Sequence, residues 1–206
     1  MKIIKPYVEI CDPIDGFEIL QKIEKCGRVC YKSENKMFQG SAKKFVEHII
    51  KRGHESVLEH VSITFKFVVD RGVSHEIVRH RVASYSQEST RYCNYSKDDF
   101  GSEITVVEPY FFEGTYAYTL WEDAMRMCET AYFKLLNAGA KPEEARTVLP
   151  NSLKTELVMT MNLRELRHFL KLRTADAAHP QMREVTRPLL DKLKKLIPVV
   201  FDDITY

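Results

Sequence analysis

Two stretches of alternating polarity constrain the fold of this chain more than any other feature of its sequence. Residues 61–69 place apolar side chains at every second position, and residues 153–161 repeat the pattern. A period of two directs successive side chains to opposite faces of a strand, so both stretches predict strands with one buried face. Elsewhere the apolar spacing changes to three and four residues, which is typical of amphipathic helices. The sequence therefore predicts a sheet covered by helices.

The order of these patterns predicts the fold class. Strands and helices intermingle without a regular strand-helix-strand repeat, so we predict an α+β fold with a mostly antiparallel sheet, in a single domain over residues 1–206. The longest amphipathic helix is predicted at 115–137. The other predicted elements are a strand at 2–10 and helices at 14–30, 42–52, 73–81, 142–149, 162–173 and 181–197.

Particular residues predict where some of these elements begin and end. Ser41 is predicted to cap the helix at 42–52, and Gly53 to end it. Asn162 and Glu165 have the spacing of a capping box at the start of 162–173. Residues 84–96 are too polar for anything but loop and edge structure.

Composition excludes several classes of protein. Lys and Arg total 31 against 29 Asp and Glu, a net charge of +2 that argues against a uniformly basic surface for duplex nucleic acid. No stretch approaches the roughly 18 consecutive apolar residues of a membrane span. Residues 1–10 have no signal-peptide core, so we expect a cytoplasmic protein with no membrane partner. The five cysteines include no C-x-x-C pair and no H-E-x-x-H motif occurs, which predicts free thiols and no metal.

The densest group of polar side chains lies at residues 79–92, RHRVASYSQESTRY. Guanidinium groups bind phosphate oxygens two at a time, so this segment predicts a phosphate or nucleotide pocket. Neither glycine-rich phosphate-binding motif occurs, so a nucleotide would bind without a Rossmann or P-loop cradle. Two alternatives remain at this point. The segment could be a solvated helix end with surface ion pairs, or residues 79–95 could bind single-stranded nucleic acid, with arginines along the phosphates and tyrosines stacked on bases.

The spacing within this segment resembles that of a known enzyme family. Arg-His-Arg at 79–81, followed after seven residues by Ser89 and then Arg91, resembles the signature of the flavin-dependent thymidylate synthases. GHESVLEH at 53–60 is similar to the family's G-H-E-[ST]-x-x-E-H, and ARTVLP at 145–150 to its A-R-x-x-L-P. Three later segments, at 162–164, 172–173 and 179–181, resemble the family's N-x-R, L-R and H-x-Q elements in that order. These motifs occur in the family's order and cover most of residues 50–185.

The resemblance implies an activity and an assembly. The activity is reductive methylation of dUMP to dTMP, in which 5,10-methylenetetrahydrofolate gives the carbon and NADPH reduces a bound FAD that supplies the hydride. The assembly is a homotetramer with flavin sites at subunit contacts. In this family the uracil ring is activated without a cysteine nucleophile, and the resemblance assigns the catalytic role to Arg173. A cation near N3 and the carbonyl oxygens favours the N3-deprotonated ring.

The resemblance assigns the other site residues to two ligands. Those assigned to FAD are Ser56, Arg79, His80, Arg81, Gln87, Asn162, Arg164 and His168. Those assigned to dUMP are Glu76, Arg79, Gln87, Glu88, Ser89, Thr90, Arg91, Arg146 and Arg173. His54 is expected to lie beside the flavin or the folate.

Two sites in the chain depart from the family pattern. Many members carry Asn-Glu where this chain has Ser86-Gln87, and Gln where it has Glu76, so the charge differs at positions assigned to flavin or nucleotide. Glu88 offers a carboxylate next to Gln87, where many members carry Glu. A third hypothesis for the function is an inactive relative that is retained as an oligomeric scaffold.

Overall fold

The computed structural model describes residues 1–97 and 101–206. Its strands are β1 (Lys2–Ile4), β2 (Tyr7–Ile10), β3 (Ser62–Asp70), β4 (Ala83–Gln87), β5 (Thr105–Val107) and β6 (Lys154–Asn162). Its helices are α1 (Gly16–Val29), α2 (Ser41–Lys51), α3 (Arg71–Ile77), α4 (Tyr116–Asn137), α5 (Pro142–Ala145), α6 (Leu163–Arg173) and α7 (Pro180–Leu196). Short 3₁₀ turns lie at Glu34–Lys36, Glu55–His60, Tyr110–Phe112 and Arg146–Val148.

The strands form two sheets. Four strands make an antiparallel sheet in the order β2-β3-β6-β4, while β1 and β5 pair in parallel. The two stretches of alternating polarity are the central strands of this sheet, β3 and β6. Alternate side chains are buried along β6 and the first part of β3, and residues 67–70 at the end of β3 are all buried. β4 occupies an edge, as the polarity of residues 84–96 predicts. The predicted α+β class is confirmed.

The predicted strand at residues 2–10 is wrong, because the structure has two strands there. Pro6 separates β1 from β2, and these strands belong to different sheets. Proline has no backbone N–H, so it cannot donate to a continuous ladder. The alternating pattern runs through Pro6 without a break, which is why it predicts one strand.

Three predicted helix boundaries are also corrected. Ser41 is the first residue of α2, and its hydroxyl donates to Glu24 Oε2 at 2.7 Å. The N-cap is Gly40, whose φ of 88° lies in the left-handed region that glycine tolerates. The helix predicted at 73–81 ends at Ile77, and the one predicted at 142–149 tightens into a 3₁₀ turn after Ala145.

Contacts group the described residues into two compact units. Unit 1 comprises Met1–Tyr7, Phe67–Arg79 and Tyr85–Val158. Its core contains one side of α4, where Met125 and Tyr132 pack with Ile104, Val106 and Leu153. This side of α4 carries the apolar residues that predict the helix. The opposite side is exposed.

Unit 2 comprises Val8–Lys66, His80–Ser84 and Met159–Tyr206. In it α1 and α2 pack so closely that a Cβ at Gly27 would lie 2.6 Å from the Phe45 ring. Helices α6 and α7 bury Phe169, Leu170 and Leu193 completely. That residues 1–206 form a single domain stays a prediction.

No helix in the described part of the chain combines the length and the apolar character that crossing a bilayer requires.

Candidate active site

A buried imidazole organises the first group of site residues, which lies in unit 2. His80 is only 5% exposed, and its ring packs against α6. Its Nε2 accepts a 3.0 Å hydrogen bond from Arg173 Nε, and its Nδ1 lies 3.3 Å from Glu165 Oε1. The ring centroid is 4.9 Å from that of Phe169 and 5.6 Å from that of His168. The structure thus brings together His80 and His168, assigned to FAD, and Arg173, assigned to dUMP.

These contacts determine where the proton on His80 lies. Guanidinium nitrogens only donate, so Nε2 is the acceptor and the ring proton is on Nδ1, directed at Glu165. Burial lowers the pKa of His80 and the charge of Arg173 lowers it further, although Glu165 acts in the opposite direction. The imidazole is therefore neutral at pH 7.

His80, Glu165 and His168 also offer the donor atoms of a metal site, which lie within 4.8 Å of one another. A metal ion needs a lone pair from each imidazole it binds. Both nitrogens of His80 are already engaged, Nδ1 as a donor to Glu165 and Nε2 as an acceptor from Arg173. Hydrogen bonds therefore account for this cluster, and the expectation of no bound metal stays a prediction.

A groove of about 520 Å³ lies beside α6, and we call it the α6 groove. Its volume is within the range of small-molecule pockets, about 300–1,000 Å³. It is lined by Glu55, Glu59, Val82, Asn162, Arg164, Glu165, Arg167, His168 and Lys171. Three of these residues, Asn162, Arg164 and His168, are among those assigned to FAD.

The assigned residues of the α6 groove differ in how they are held. Asn162 caps α6, because its Oδ1 accepts the Glu165 N–H at 2.9 Å, as its position before the helix predicts. Arg164 Nη1 lies 2.6 Å from Glu59 Oε1, but about half of each side chain is exposed. Exposed ion pairs of this kind contribute at most about 1 kcal/mol, so an anionic ligand can replace Glu59.

Arg167 is a residue of the groove that the sequence analysis missed. It is 1% exposed and forms ion pairs with Glu55 at 3.0 Å and with Asp203 at 2.6 Å, and it also donates to the Val200 carbonyl. The hydrogen bond and the charge of Arg167 hold the pKa of Asp203 below its usual value. The partners lie far from it in sequence, so no local pattern marks Arg167 as buried. Arg167 therefore ties α6 to a segment that precedes it in sequence, through Glu55, and to one that follows it, through Asp203.

A second group of assigned residues lies in unit 1, around the end of β4. Arg146 Nη1 donates to Thr90 Oγ1 at 3.5 Å, so the structure brings these two dUMP assignments together. Ser89 Oγ accepts the Arg91 N–H at 3.3 Å, and Arg91 Nη2 lies 3.4 Å from Glu143. Two guanidiniums and two hydroxyls are thus gathered within one unit, which is the chemistry of a phosphate site.

Gln87 and Glu88 are already engaged within the same unit. Gln87 Nε2 donates to Ser74 Oγ at 2.9 Å and to Thr155 Oγ1 at 3.2 Å. The Glu88 carboxylate accepts from Tyr95 Oη and from Lys154 Nζ, each at 2.9 Å, and from the Glu156 N–H at 3.2 Å. These donors account for Glu88 without a ligand. Its assignment and that of Gln87 to nucleotide or flavin stay predictions.

Ser56 and His54 line a different cavity of unit 2, of about 550 Å³, which we call the basic cavity. Its lining residues are Gly27, Arg28, Cys30, Tyr31, Ser33, Lys36, Phe45, His48, Ile49, Arg52, His54, Ser56 and Val57. They include three cations, the Tyr31 and Phe45 rings and no carboxylate. Arg28 already pairs with the buried Glu24 at 2.7 Å, so Lys36 and Arg52 are the cations of this lining that an anionic ligand would meet. An anionic ligand with an aromatic ring matches this lining.

The other assigned residues are Glu76, Arg79 and Arg81. Glu76 is partly buried on α3, while Arg79 and Arg81 are exposed on either side of the buried His80. The Arg-His-Arg motif therefore presents its two guanidiniums to solvent and its imidazole to the interior.

Comparison with known proteins identifies the family. A family model described as "Thymidylate synthase complementing protein" matches residues 16–199. The flavin-dependent thymidylate synthase of Geobacter sulfurreducens is 37% identical over 188 residues, which cover 85% of this chain and 78% of that protein. The chain belongs to the flavin-dependent thymidylate synthases. The enzyme of Pyrococcus furiosus with the same name is 33% identical over 184 residues, covering 89% of this chain and 75% of the relative.

A solved structure agrees with this membership of the flavin-dependent thymidylate synthases. The UMP/dUMP methylase PolB from Streptomyces cacaoi, bound with 5-Br dUMP, aligns with a TM-score of 0.79 and 28% identity, covering 98% of this chain and 96% of that one. Methylation of dUMP to dTMP by a flavin-dependent enzyme is the activity that these comparisons support. The single-stranded nucleic-acid alternative receives no support from them.

Proposed function

We propose that this chain methylates dUMP to dTMP with 5,10-methylenetetrahydrofolate as carbon donor, FAD as cofactor and NADPH as reductant. The observation that carries the proposal is the hydrogen bond from Arg173 to His80. The family motif assigns Arg173 to the uracil ring, and its Nε is held by the neutral imidazole of His80. The cation is thus held in place by a group that does not neutralise its charge.

The residues of the α6 groove fit a flavin nucleotide. Its two exposed cations, Arg164 and Lys171, suit phosphate oxygens, and Asn162 and His168 offer further polar contacts. Arg81 is a third exposed cation of the same unit. When bound, FAD supplies the hydride that completes the methyl group. We propose that Asn162, Arg164, His168 and Arg81 hold it.

We propose that the group in unit 1 binds the phosphate and sugar of dUMP. Arg146 and Arg91 offer guanidinium forks, and Ser89 and Thr90 offer hydroxyls. The ion pair of Arg91 with Glu143 is 3.4 Å long and about half exposed, so its loss to a phosphate costs little.

The reaction as proposed uses no cysteine nucleophile. Cys93 is the cysteine nearest to the assigned arginines in sequence. Burial raises the pKa of its thiol, and the charge of Glu88 raises it further, so the thiol is protonated at neutral pH. The chain instead favours loss of the uracil N3 proton by placing the Arg173 cation near that nitrogen, which makes C5 more electron-rich.

The lining of the basic cavity supports the binding of one of the two anionic co-substrates there. Folates and NADPH both combine aromatic rings with several negative charges, and the cavity offers Lys36 and Arg52 together with the Tyr31 and Phe45 rings. We propose that one of them binds there, beside His54 and Ser56. A cytoplasmic location, where these co-substrates are made, belongs to the same proposal.

The exposed side of α4 supports the proposed homotetramer. Residues 116, 120, 123, 127, 130, 134 and 137 are all exposed and follow one another by four and three residues, which is the spacing of a coiled-coil seam. Leu120 is 53% exposed and Met127 is 67% exposed. Three of the seven seam residues, Tyr116, Leu120 and Met127, are large exposed apolar side chains among polar ones, and such side chains on one helix face are typical of a protein contact.

Charge along this seam matches a second copy of the chain. In an antiparallel pair related by a two-fold axis between residues 128 and 129 of α4, Asp123 lies opposite Lys134 and Met127 lies opposite Thr130. The pairing is isologous, so each opposite-charge pair forms twice. We propose that two subunits of the homotetramer meet along α4.

The proposal is tested by the visible absorption spectrum of the purified protein and by its products. We expect a yellow protein, with bound FAD, that forms dTMP only when dUMP, methylenetetrahydrofolate and NADPH are all present. A flavin-loaded protein that forms no dTMP would support the scaffold hypothesis. A colourless protein that takes up no FAD and binds oligonucleotides with a steep salt dependence would support the nucleic-acid hypothesis.

A further inference from the structure

The carboxylate of Glu165 lies where its local sequence does not place it. The spacing of Asn162 and Glu165 predicts a capping box, in which each side chain bonds the other's backbone N–H. The structure forms the half made by Asn162. The Glu165 carboxylate turns to His80 Nδ1 at 3.3 Å, and it is only 15% exposed. The cap therefore does not account for the position of this carboxylate.

The contact with Glu165 determines which ring nitrogen of His80 can accept a hydrogen bond from Arg173. A neutral imidazole has one N–H donor and one lone pair, and a carboxylate only accepts. Glu165 therefore holds the ring proton on Nδ1, and the lone pair on Nε2 faces the Arg173 Nε–H at 3.0 Å. With the proton on Nε2 instead, two N–H groups would face each other and the contact would be lost.

The geometry points to Glu165 as a positioning residue, which holds His80 in the Nδ1–H tautomer so that Nε2 anchors the Arg173 guanidinium by its Nε edge. Because the guanidinium is planar, an anchored edge also fixes the direction of its two terminal nitrogens. The inference rests on the proposed function, in which Arg173 acts on the uracil ring. Three groups near the His80 ring that carry or can carry charge lie on α6: Glu165, His168 and Arg173.

Two substitutions of Glu165 separate positioning from mere packing. Glu165→Leu removes the acceptor at similar volume, whereas the side-chain carbonyl of Glu165→Gln still accepts the Nδ1 proton. The ¹⁵N chemical shifts of the histidine rings report the tautomer in the protein without substrates, and the His80 signals are assigned by their loss in His80→Gln. We expect the Nδ1–H tautomer in the wild type and in Glu165→Gln, and its loss in Glu165→Leu.

The binding of dUMP gives a second readout through Arg173. We expect Glu165→Leu to weaken dUMP binding about fivefold and to lower kcat about tenfold or more, since small misplacements of a catalytic group are costly. Glu165→Gln should restore both to within about threefold of the wild type. Adding Glu165→Leu to Arg173→Ala should weaken dUMP binding no further, because residues that act through one contact are not additive.

Glu59→Leu is the matched control, since it removes another carboxylate of the α6 groove. It should leave the His80 ring shifts unchanged. The inference is overturned if Glu165→Leu keeps the Nδ1–H shifts, or if its effect on dUMP binding adds in full to that of Arg173→Ala. A wild type that makes no dTMP would sink the proposed function, while the ring shifts would still decide the role of Glu165.

Discussion

At the scale of single residues, the contacts of the His80 ring determine its protonation state. Its ring is buried, and its lone pair accepts from Arg173 while its proton is directed at Glu165. A second proton would have to replace that lone pair and would place two cations in contact. Burial first and Arg173 second therefore lower the pKa of His80 below 6.5, the ordinary value.

The first prediction concerns the pH dependence of stability. The unfolded chain takes up a proton on His80 near pH 6.5, before the folded chain does, so folding stability is present above that pH and is lost as the pH falls through the lower folded pKa. Between about pH 8 and about pH 5, the free energy of unfolding should fall by less than about 1.4 kcal/mol per pH unit. Urea titrations of the wild type and His80→Gln measure this fall.

The variant should show a flatter pH profile than the wild type over this window. The pKa values of Asp203 and Asp176 are lowered from 3.8 by their arginine partners, so these groups do not titrate within it. Equal slopes for His80→Gln and the wild type would show that His80 does not carry the effect.

The second prediction concerns Cys93. Its thiol is protonated at neutral pH, because burial and the charge of Glu88 raise its pKa. Cys93→Ala should therefore retain dTMP formation to within about threefold, with Cys128→Ala as a control for removing a partly buried thiol. Loss of turnover in Cys93→Ala with dUMP and FAD still bound would mean that the uracil ring is activated by a thiolate.

At the scale of elements, helix α6 carries several of the site residues, among them Arg164, Glu165 and Arg167. Its apolar periodicity and the Asn162 cap predict its existence and both of its ends, because these signals are local. The partners of its polar residues are not local, since His80 lies 85 positions from Glu165 and Glu55 lies 112 from Arg167. Sequence reasoning could thus predict the helix and its cap, but not the use that the structure makes of Glu165 and Arg167.

The third prediction tests the buried charges of this helix. Arg167→Leu removes the buried cation that Glu55 and Asp203 share, although Lys171 stays near Asp203, and losing one partner of a buried pair usually costs about 3–5 kcal/mol. Both carboxylates keep some contact with water, so we expect about 3 kcal/mol less free energy of unfolding. Denaturant titration measures it. Lys171→Leu is the matched control, because Lys171 is about half exposed and 3.6 Å from Asp203, and it should cost less than about 1 kcal/mol.

The same contrast applies to the strands. Alternation predicts β3 and β6 because each keeps one buried face along its length. It does not reveal that β1 pairs with β5, about 100 positions away, while β2 joins the other sheet. The family resemblance likewise assigns Thr90 and Arg146 to dUMP, and the structure brings them into contact. It does not predict that Tyr95 and Lys154 engage the Glu88 carboxylate, because these contacts depend on the completed fold.

Assembly belongs to the scale of the whole molecule, and the fourth prediction tests the α4 contact. Leu120→Glu combined with Met127→Glu puts like charges into the exposed seam, so the proposed tetramer should dissociate into smaller species. Analytical ultracentrifugation measures the assembly. Thr119→Glu is the matched control, because residue 119 is exposed on α4 but lies outside the seam.

A charge exchange identifies the antiparallel pairing itself. Asp123→Lys should weaken the tetramer, and adding Lys134→Asp should restore it, since the two residues face each other across the proposed axis. A tetramer that is unchanged by the Leu120 and Met127 substitutions would place the subunit contact elsewhere.

Formation of dTMP by the FAD-loaded wild type and by Arg173→Ala tests the central claim most directly. Both proteins are supplied with dUMP, methylenetetrahydrofolate and NADPH, and the products are separated by chromatography. We predict dTMP from the wild type and none from Arg173→Ala, although the variant keeps the flavin absorption of the wild type. Equal dTMP from both proteins, or loss of the flavin from the variant, would contradict the role of Arg173 at the uracil ring.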